Sequence, residues 1–278
     1  MDITIELEHL EKQIALMSKV TQAISPENIG YRELTSVIGP LLTLNLSTAQ
    51  SVKLLADNNH FRDMIILSRP FIEAIINIGY ICAKGNEAVL KSKNYAYQKG
   101  YRDLFRGLNV NGLEISSSLI GHKDYIDQFV PENLQSALKE FSTTKGKEKS
   151  SWTNETAKEK LEVVGERYGA GVNGFLSFAF FNIYRDVSEI IHGSYYGMRI
   201  FLGMQNKDIT AFKSSDEAAE NFTTHQNKLA TLIIQQINIS IYSIIEILHK
   251  EFNTLSILDD LKNQSKREPD IYADKVKV

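Results

Sequence analysis

Apolar residues recur at steps of three and four along almost the whole chain, and this spacing constrains the fold more than any other feature of the sequence. Such spacing is typical of helices that bury one face, whereas strands alternate apolar and polar residues. One apolar stripe runs through residues 3–24 and another through residues 229–248. Only 5 prolines and 16 glycines interrupt the 278 residues, and no strand pattern stands out. The sequence therefore predicts an all-α protein, a single-domain multi-helix bundle.

Turn residues and prolines divide this pattern into segments. The predicted helices cover residues 3–24, 31–56, 61–83, 86–108, 155–168, 172–192 and 217–252, and a shorter helix begins at Pro131. Residues 109–121 are predicted to form an irregular connection. We assign residues 1–30 to an N-terminal helix, 31–255 to one helical domain and 256–278 to a loose charged tail. The polar loop 142–151 is an alternative domain boundary, although the flanking helices are too apolar to be stable in separate small bundles.

Composition limits the classes of function that the chain can have. The 31 basic and 34 acidic residues give a net charge of −3, so contact with nucleic acid requires a local basic patch. The single cysteine, Cys82, excludes a disulfide framework and a cysteine-based zinc site. The histidines have no metal-ligand spacing, and no phosphate-binding glycine motif occurs, so we expect no metal and no cofactor. We find no signal segment and no unbroken apolar run of about 20 residues. The expected location is therefore the cytoplasm, with no membrane partner.

The segment 178–192 carries the most informative polar residues, because they interrupt an otherwise apolar helix. Arg185, Ser188, Glu189 and His192 lie at i, i+3, i+4 and i+7, which places them on one helix face. If the helix continues through Gly193, then Tyr195, Tyr196 and Arg199 extend the same line. Ionisable residues gathered within apolar helices often mark functional sites. His192 is the residue best suited to proton transfer near neutral pH.

A second polar stripe lies on the predicted helix 61–83. It consists of Arg69, Glu73, Asn77 and Tyr80, at steps of four, four and three. We expect the two stripes to face each other in the bundle and to form a small charged cleft. The alternative is that Arg69–Glu73 and Arg185–Glu189 are structural ion pairs at favourable i,i+4 spacing.

The segment 84–106 has a local charge balance of +4, with tyrosines interleaved among its basic residues. Five of its residues share one face of the predicted helix: Lys91, Tyr95, Lys99, Arg102 and Arg106. Basic groups beside aromatic rings can follow a phosphate backbone and stack unpaired bases, so this face is a candidate RNA-binding surface. The alternative is a solvated helix face with tyrosines partly in the core.

These residues carry two family resemblances. Arg185-Asp186 followed by His192 resembles the R-x4-6-H motif of the HEPN superfamily of all-helical, often dimeric proteins. The chain is also similar, over residues 33–204, to an uncharacterised bacterial all-helical family. That similarity rests on Arg69-x3-Glu73, on a segment led by Trp152, and on Ser188-x3-His192-Gly-Ser.

The HEPN resemblance implies a metal-independent endoribonuclease that acts as a toxin or antiviral-defence effector in a bacterial cell. His192 would then move protons and Arg185 would stabilise developing charge, with Glu189 or Glu73 orienting the imidazole. Ser188 and Arg69 complete the candidate catalytic set. The implied partners are RNA, an antitoxin or defence-system protein, and a second copy in a homodimer. The alternative function is a non-enzymatic helical module that binds a partner protein or nucleic acid.

Overall fold

The computed structural model describes residues 3–25, 32–118, 131–206 and 208–252 of the chain. Within these ranges it contains nine α-helices, one short 3₁₀ helix and one two-stranded hairpin, which confirms the predicted all-α multi-helix bundle. The chain divides into two compact units. Unit 1 comprises residues 1–84 and 156–278, and unit 2 comprises residues 85–155. The sequence analysis preferred one domain over residues 31–255. Its outer boundaries, at 30–31 and 255–256, and the charged tail 256–278 lie outside the described residues.

Unit 1 holds seven of the described α-helices. They are α1 (Ile3–Ala23), α2 (Glu33–Asp57), α3 (Phe61–Lys84), α6 (Ala157–Tyr168), α7 (Ala170–Ile191), α8 (Tyr195–Phe201) and α9 (Ser215–Glu251). Helix α3 packs against α2, α6, α7 and α9, so it is the central helix of the unit. This position suits its sequence, because apolar residues cover more than one face of α3 and most of them are buried. Pro40 and Pro70, expected to kink or end helices, lie inside α2 and α3.

Helices α3 and α9 are the most apolar helices of unit 1. Each is long and apolar enough to cross a membrane by length and composition alone, with mean hydropathies of 1.5 and 1.4 over an 18-residue window. However, 61% of that window in α3 and 83% in α9 is buried inside the bundle. Core helices of soluble proteins have the same composition, so burial in the bundle is sufficient to explain it.

Unit 2 contains α4 (Asn86–Asp103), β1 (Phe105–Val110), β2 (Leu113–Ser118) and α5 (Pro131–Glu140). The strands form an antiparallel hairpin in which Leu108 pairs with Ile115 and Val110 with Leu113. The sequence analysis was wrong here, because it extended the fourth helix to residue 108 and made 109–121 irregular.

The physical reason for the hairpin lies at its turn. Asn111 and Gly112 both have positive φ angles, 53° and 85°, as a two-residue type I′ turn requires. An Asn-Gly pair between alternating apolar residues is a strong hairpin signal, and the dominant helical periodicity concealed it.

The start of α6 also differs from the prediction. The predicted helix begins at residue 155, but the observed helix begins at Ala157, and Thr156 is its capping residue. Its hydroxyl accepts a hydrogen bond from the backbone N–H of Glu159, and the Glu159 carboxylate accepts one from the backbone N–H of Thr156. This reciprocal capping box satisfies two backbone donors at the helix end.

Candidate functional site

Helix α7 has two contrasting faces. Its buried face consists of Val172, Leu176, Ala179, Ile183, Val187 and Ile190, which pack within unit 1. The other face carries Phe178, Phe181, Arg185, Ser188 and His192, at steps of three and four. Apart from the partly buried Ser188, these residues are exposed, and the Phe181 side chain is 79% exposed. We call this second set the α7 open face.

Arg185 and His192 are the two ionisable residues of the α7 open face. Neither side chain has a hydrogen bond or an ion pair with any residue that the structure describes. The predicted structural pair between Arg185 and Glu189 is therefore not formed. Glu189 instead accepts a hydrogen bond from the Ser194 hydroxyl at 2.8 Å. The unpaired guanidinium of Arg185 and the exposed imidazole of His192 are therefore available to a ligand on one helix face.

The face does not continue beyond His192 as a single helix. Helix α7 ends at Ile191 with His192 as its C-cap, and Gly193 adopts φ +62°, the left-handed conformation that commonly terminates helices. Ser194 then caps α8 by accepting a hydrogen bond from the backbone N–H of Gly197. The condition under which Tyr195, Tyr196 and Arg199 would extend the α7 line, a helix that continues through Gly193, is therefore not met.

Helix α8 nevertheless lies directly against the end of α7. A Cβ atom at Gly197 would collide with the backbone carbonyl of Glu189, so only glycine permits this close approach. The packing leaves Tyr195 and Tyr196 exposed beside the end of the α7 open face. Arg199 turns back and donates to the backbone carbonyl of Met204 at 2.9 Å. The face is thus bordered by aromatic rings from a second helix.

Arg69 links the polar stripe of α3 to α7. Its Nε lies 3.0 Å from Oε1 of Glu73, and its guanidinium lies 4.3 Å from the ring centroid of Tyr184 on α7. Arg69 therefore contacts the helix that bears His192, which is the Arg69 part of the predicted approach between the two stripes. Glu73 is engaged by Arg69, and it orients neither Arg185 nor His192 in this structure. Sequence analysis missed Tyr184, although its position next to Arg185 was a usable signal.

The other half of the α3 stripe meets α6 and not α7. Lys160 of α6 is only 8% exposed and donates to Oδ1 of Asn77 at 2.8 Å. Its ammonium also lies 5.8 Å from the centroid of the Tyr80 ring, a cation–π distance. The sequence analysis missed Lys160, whose spacing from Leu161, Val164 and Tyr168 placed it on the apolar face of α6. The predicted cleft is therefore two separate sets of contacts, one with each neighbouring helix.

The candidate RNA-binding residues of unit 2 have different surroundings from one another. Lys99 pairs with Glu148 at 3.0 Å, and Arg106, which lies on β1 and not on the helix, pairs with Asp103 at 2.6 Å. The Arg106 guanidinium holds the pKa of Asp103 below its usual value, and Glu148 holds the pKa of Lys99 above its usual value.

Tyr95 packs edge-on against Phe141 and donates to the backbone carbonyl of Ser150 at 3.2 Å, which is a structural role. Lys99, Arg102 and Arg106 line a cavity on the surface of unit 2. Lys91 lies on the same helix, α4, but does not line this cavity. Three of the five predicted residues, Lys99, Arg102 and Arg106, therefore line one cavity, and Tyr95 packs against Phe141.

A buried polar cluster lies where α6 meets the end of α9. The Tyr168 hydroxyl donates to Oε2 of Glu251 at 2.9 Å, and Arg167 lies 3.8 Å from the same oxygen. Burial, with the charges of Cys82 and Glu251, raises the pKa of Tyr168 well above its ordinary value. Burial likewise raises the pKa of the Cys82 thiol, so this cysteine is protonated and unreactive at neutral pH. The cluster is internally satisfied and structural.

No group of three or more metal-ligating side chains converges among the residues that the structure describes. The fold and the α7 open face therefore define an all-helical protein with an exposed arginine–histidine face. Comparison with known families matches residues 35–209 to a family of unknown function, DUF5677. The match covers more than half of the chain, and the chain belongs to this family. Comparison with curated proteins and with solved structures finds no match.

Proposed function

We propose that the protein is a metal-independent endoribonuclease that acts as a toxin or antiviral-defence effector in the bacterial cytoplasm. The supporting observation is the α7 open face, where Arg185 and His192 are exposed and free of protein partners within the described residues. A purely structural pair would have been sealed and mutually satisfied. The exposed rings of Phe181 and Tyr195 beside them are suited to stacking against unpaired bases.

The chemistry uses the RNA's own nucleophile. His192 takes the proton of a ribose 2′-hydroxyl as that oxygen forms a bond to the adjacent phosphorus. The bond from phosphorus to the 5′-oxygen breaks, and this oxygen takes a proton from solvent or from the imidazolium. The products are a 2′,3′-cyclic phosphate and a free 5′-hydroxyl. Arg185 stabilises the charge on the phosphoryl oxygens, and the expected contribution of each group is about 10²–10³-fold in rate.

The helix geometry favours a second copy in the complete site. His192 lies seven positions after Arg185, with six residues between them, which corresponds to about 10 Å along the helix axis. One phosphate therefore does not contact both residues of one helix easily. A homodimer that placed two α7 open faces opposite each other would bring an arginine of one copy towards a histidine of the other. The exposed ring of Phe178 supplies apolar surface for such an interface.

A non-enzymatic interaction module is the second candidate function. The observation that favours it is the amount of exposed apolar and aromatic surface along α7 and α8, which includes Phe178, Phe181, Tyr196 and Met198. Surfaces of this kind often bind partner proteins. In that case the partner, an antitoxin or a defence-system protein, covers the α7 open face, and Arg185 and His192 serve as polar contacts within the interface.

The test is RNA cleavage by the full chain, with and without EDTA, measured together with the melting temperature. We expect His192→Ala and Arg185→Ala each to reduce cleavage by at least about 10²-fold. Neither substitution should change the melting temperature, because both side chains are exposed. Cleavage by the unaltered chain should persist in EDTA.

His225→Ala is the matched control for the histidine substitution. His225 lies within hydrogen-bond distance of the backbone carbonyl of Ile200 at 2.8 Å, so its loss should lower stability while cleavage continues. If His192→Ala cleaves RNA as fast as the unaltered chain, the proposed chemistry is wrong. If the chain cleaves no RNA but binds a protein through the α7 open face, the interaction module is the correct function.

A further inference from the structure

A cavity of about 750 Å³ lies within unit 2, and its volume is in the range of small-molecule sites. It is open to solvent and is lined by the last turn of α4, by the first residues of β1, by Ile115 of β2 and by Glu148. Three basic side chains, Lys99, Arg102 and Arg106, line it against two carboxylates, so the lining has a formal excess of one positive charge. The whole chain has a net negative charge, so this local positive excess indicates a candidate anion site.

Arg102 is the residue that distinguishes this cavity from an ordinary surface. Its Nε donates to Oε1 of Gln98 at 2.6 Å, and a terminal nitrogen donates to the Ser142 hydroxyl at 2.8 Å. Gln98 is fully buried and both partners are neutral. No carboxylate lies within hydrogen-bond distance of Arg102 in the described part of the chain. The guanidinium is therefore held in a fixed orientation with its charge uncompensated, which is the arrangement that an anion requires.

Lys99 and Arg106 stand beside Arg102 in a different state. Each is paired with a partly exposed carboxylate, Lys99 with Glu148 and Arg106 with Asp103. Exposed ion pairs of this kind are weak and exchange readily. The cavity lining therefore offers an incoming anion one fixed cation, Arg102, and two adjustable cations, Lys99 and Arg106.

The remaining wall of the cavity is apolar. Leu108 is 60% exposed and Ile115 is 52% exposed, and the two residues are cross-strand partners in the hairpin. Both side chains line the same cavity as the basic residues. A ligand that fits must therefore combine a negative charge with an apolar or aromatic portion.

We propose that this cavity binds a phosphate ester, with the phosphate on Arg102 and the ester substituent on the Leu108–Ile115 wall. A tetrahedral phosphate can accept hydrogen bonds from cations on several sides, whereas a planar carboxylate is satisfied by one guanidinium. The ester comes either from a free nucleotide or from a phosphodiester of single-stranded RNA. Only the second source rests on the proposed ribonuclease function.

The test is isothermal titration calorimetry of the full chain with three probes. These are inorganic phosphate, uridine 5′-monophosphate and a short deoxyuridine oligonucleotide, which lacks the attacking 2′-hydroxyl and so cannot be cleaved. We expect Arg102→Gln to weaken binding of every probe by about tenfold. Lys93→Gln removes the same charge from the same helix outside the cavity, and should weaken binding less than about twofold.

Two further variants keep the test decisive if Arg102→Gln fails to fold. Glu148→Gln removes the competing carboxylate beside Lys99 and should tighten phosphate binding by about threefold. Ile115→Ser should leave phosphate binding unchanged but weaken nucleotide binding by about threefold, because only the nucleotide contacts the apolar wall.

The probes also distinguish the two sources. Equal affinities for the mononucleotide and the oligonucleotide would assign a free nucleotide, whereas tighter binding of the oligonucleotide would assign RNA. Either result supports the site, and neither depends on cleavage at His192. Equal losses from Lys93→Gln and Arg102→Gln would show general charge attraction and overturn the proposal. Absence of binding by all three probes at about millimolar concentration would overturn it as well.

Discussion

Helices α3 and α7 of unit 1 carry similar polar residues at similar spacing, but the α3 residues are paired and the α7 residues are exposed. On α3, Arg69 is paired with Glu73 and covered by the Tyr184 ring, and Asn77 accepts from the buried Lys160. On α7, Arg185 and His192 face solvent with no partner among the described residues. The α3 stripe thus contributes to stability, whereas the α7 open face is left available to a ligand. Spacing alone therefore does not separate a polar stripe that is paired in the folded protein from one that stays exposed.

The largest effect on stability is expected at Lys160, the partner of Asn77 in the α3 stripe. Lys160→Ala removes the hydrogen bond to Asn77 and the buried alkyl chain of the lysine. We expect the free energy of unfolding to fall by about 2 kcal/mol, as measured by urea denaturation. Lys158→Ala is the matched control on the same helix, because Lys158 is 84% exposed and should change stability by less than about 0.5 kcal/mol. Equal effects at the two lysines would contradict the structural role of Lys160.

A smaller effect should separate the two arginines directly. Arg69→Ala removes a half-buried ion pair and a cation–π contact, so we expect a loss of about 1 kcal/mol in the free energy of unfolding. Arg185→Ala should change that free energy by less than about 0.5 kcal/mol, because its side chain is exposed and unpaired. RNA cleavage should show the reverse order, with the larger loss at Arg185. A larger stability loss at Arg185 than at Arg69 would remove the distinction between the stripes.

The smallest effect on stability near neutral pH is expected from the buried residues Cys82 and Tyr168, where α6 meets the end of α9. The pKa values of Cys82 and Tyr168 are raised by burial above the ordinary values of 9.0 and 10.0. The folded state therefore binds protons more tightly than the unfolded state. The resulting stability is complete below about pH 9 and is lost as the pH rises.

Urea denaturation at a series of alkaline pH values measures this dependence. We expect the unfolding free energy to begin to fall near pH 9 and to fall more steeply near pH 10, by at most about 1.4 kcal/mol per pH unit for each group. Tyr168→Phe should remove the steeper part of the decline, whereas Tyr195→Phe, at an exposed position, should leave it unchanged. A pH profile that Tyr168→Phe does not alter would show that Tyr168 does not titrate with unfolding.

Local signals in the sequence accounted for most of the helices and for part of the candidate site. The apolar stripes placed α1, α3, α7 and α9 within two residues of their observed ends. The spacing of Arg185, Ser188 and His192 placed them on one face because helix geometry is periodic. The hairpin in unit 2 was missed although its Asn-Gly turn was visible. The short strand pattern on either side of this turn was outweighed because apolar residues recur at helical spacing along most of the chain.

The sequence by itself determined which side chains share a helix face, since this depends only on the helical repeat. Tertiary packing alone decided which of those faces is covered. Lys160 pairs with Asn77 across 83 positions of the chain, and no local pattern encodes that contact. The cavity around Arg102 likewise needs Gln98, Ser142 and Ile115 from separate elements. Burial and the pairing of charges are properties of the folded chain, because they depend on residues that are distant in sequence and close only after folding.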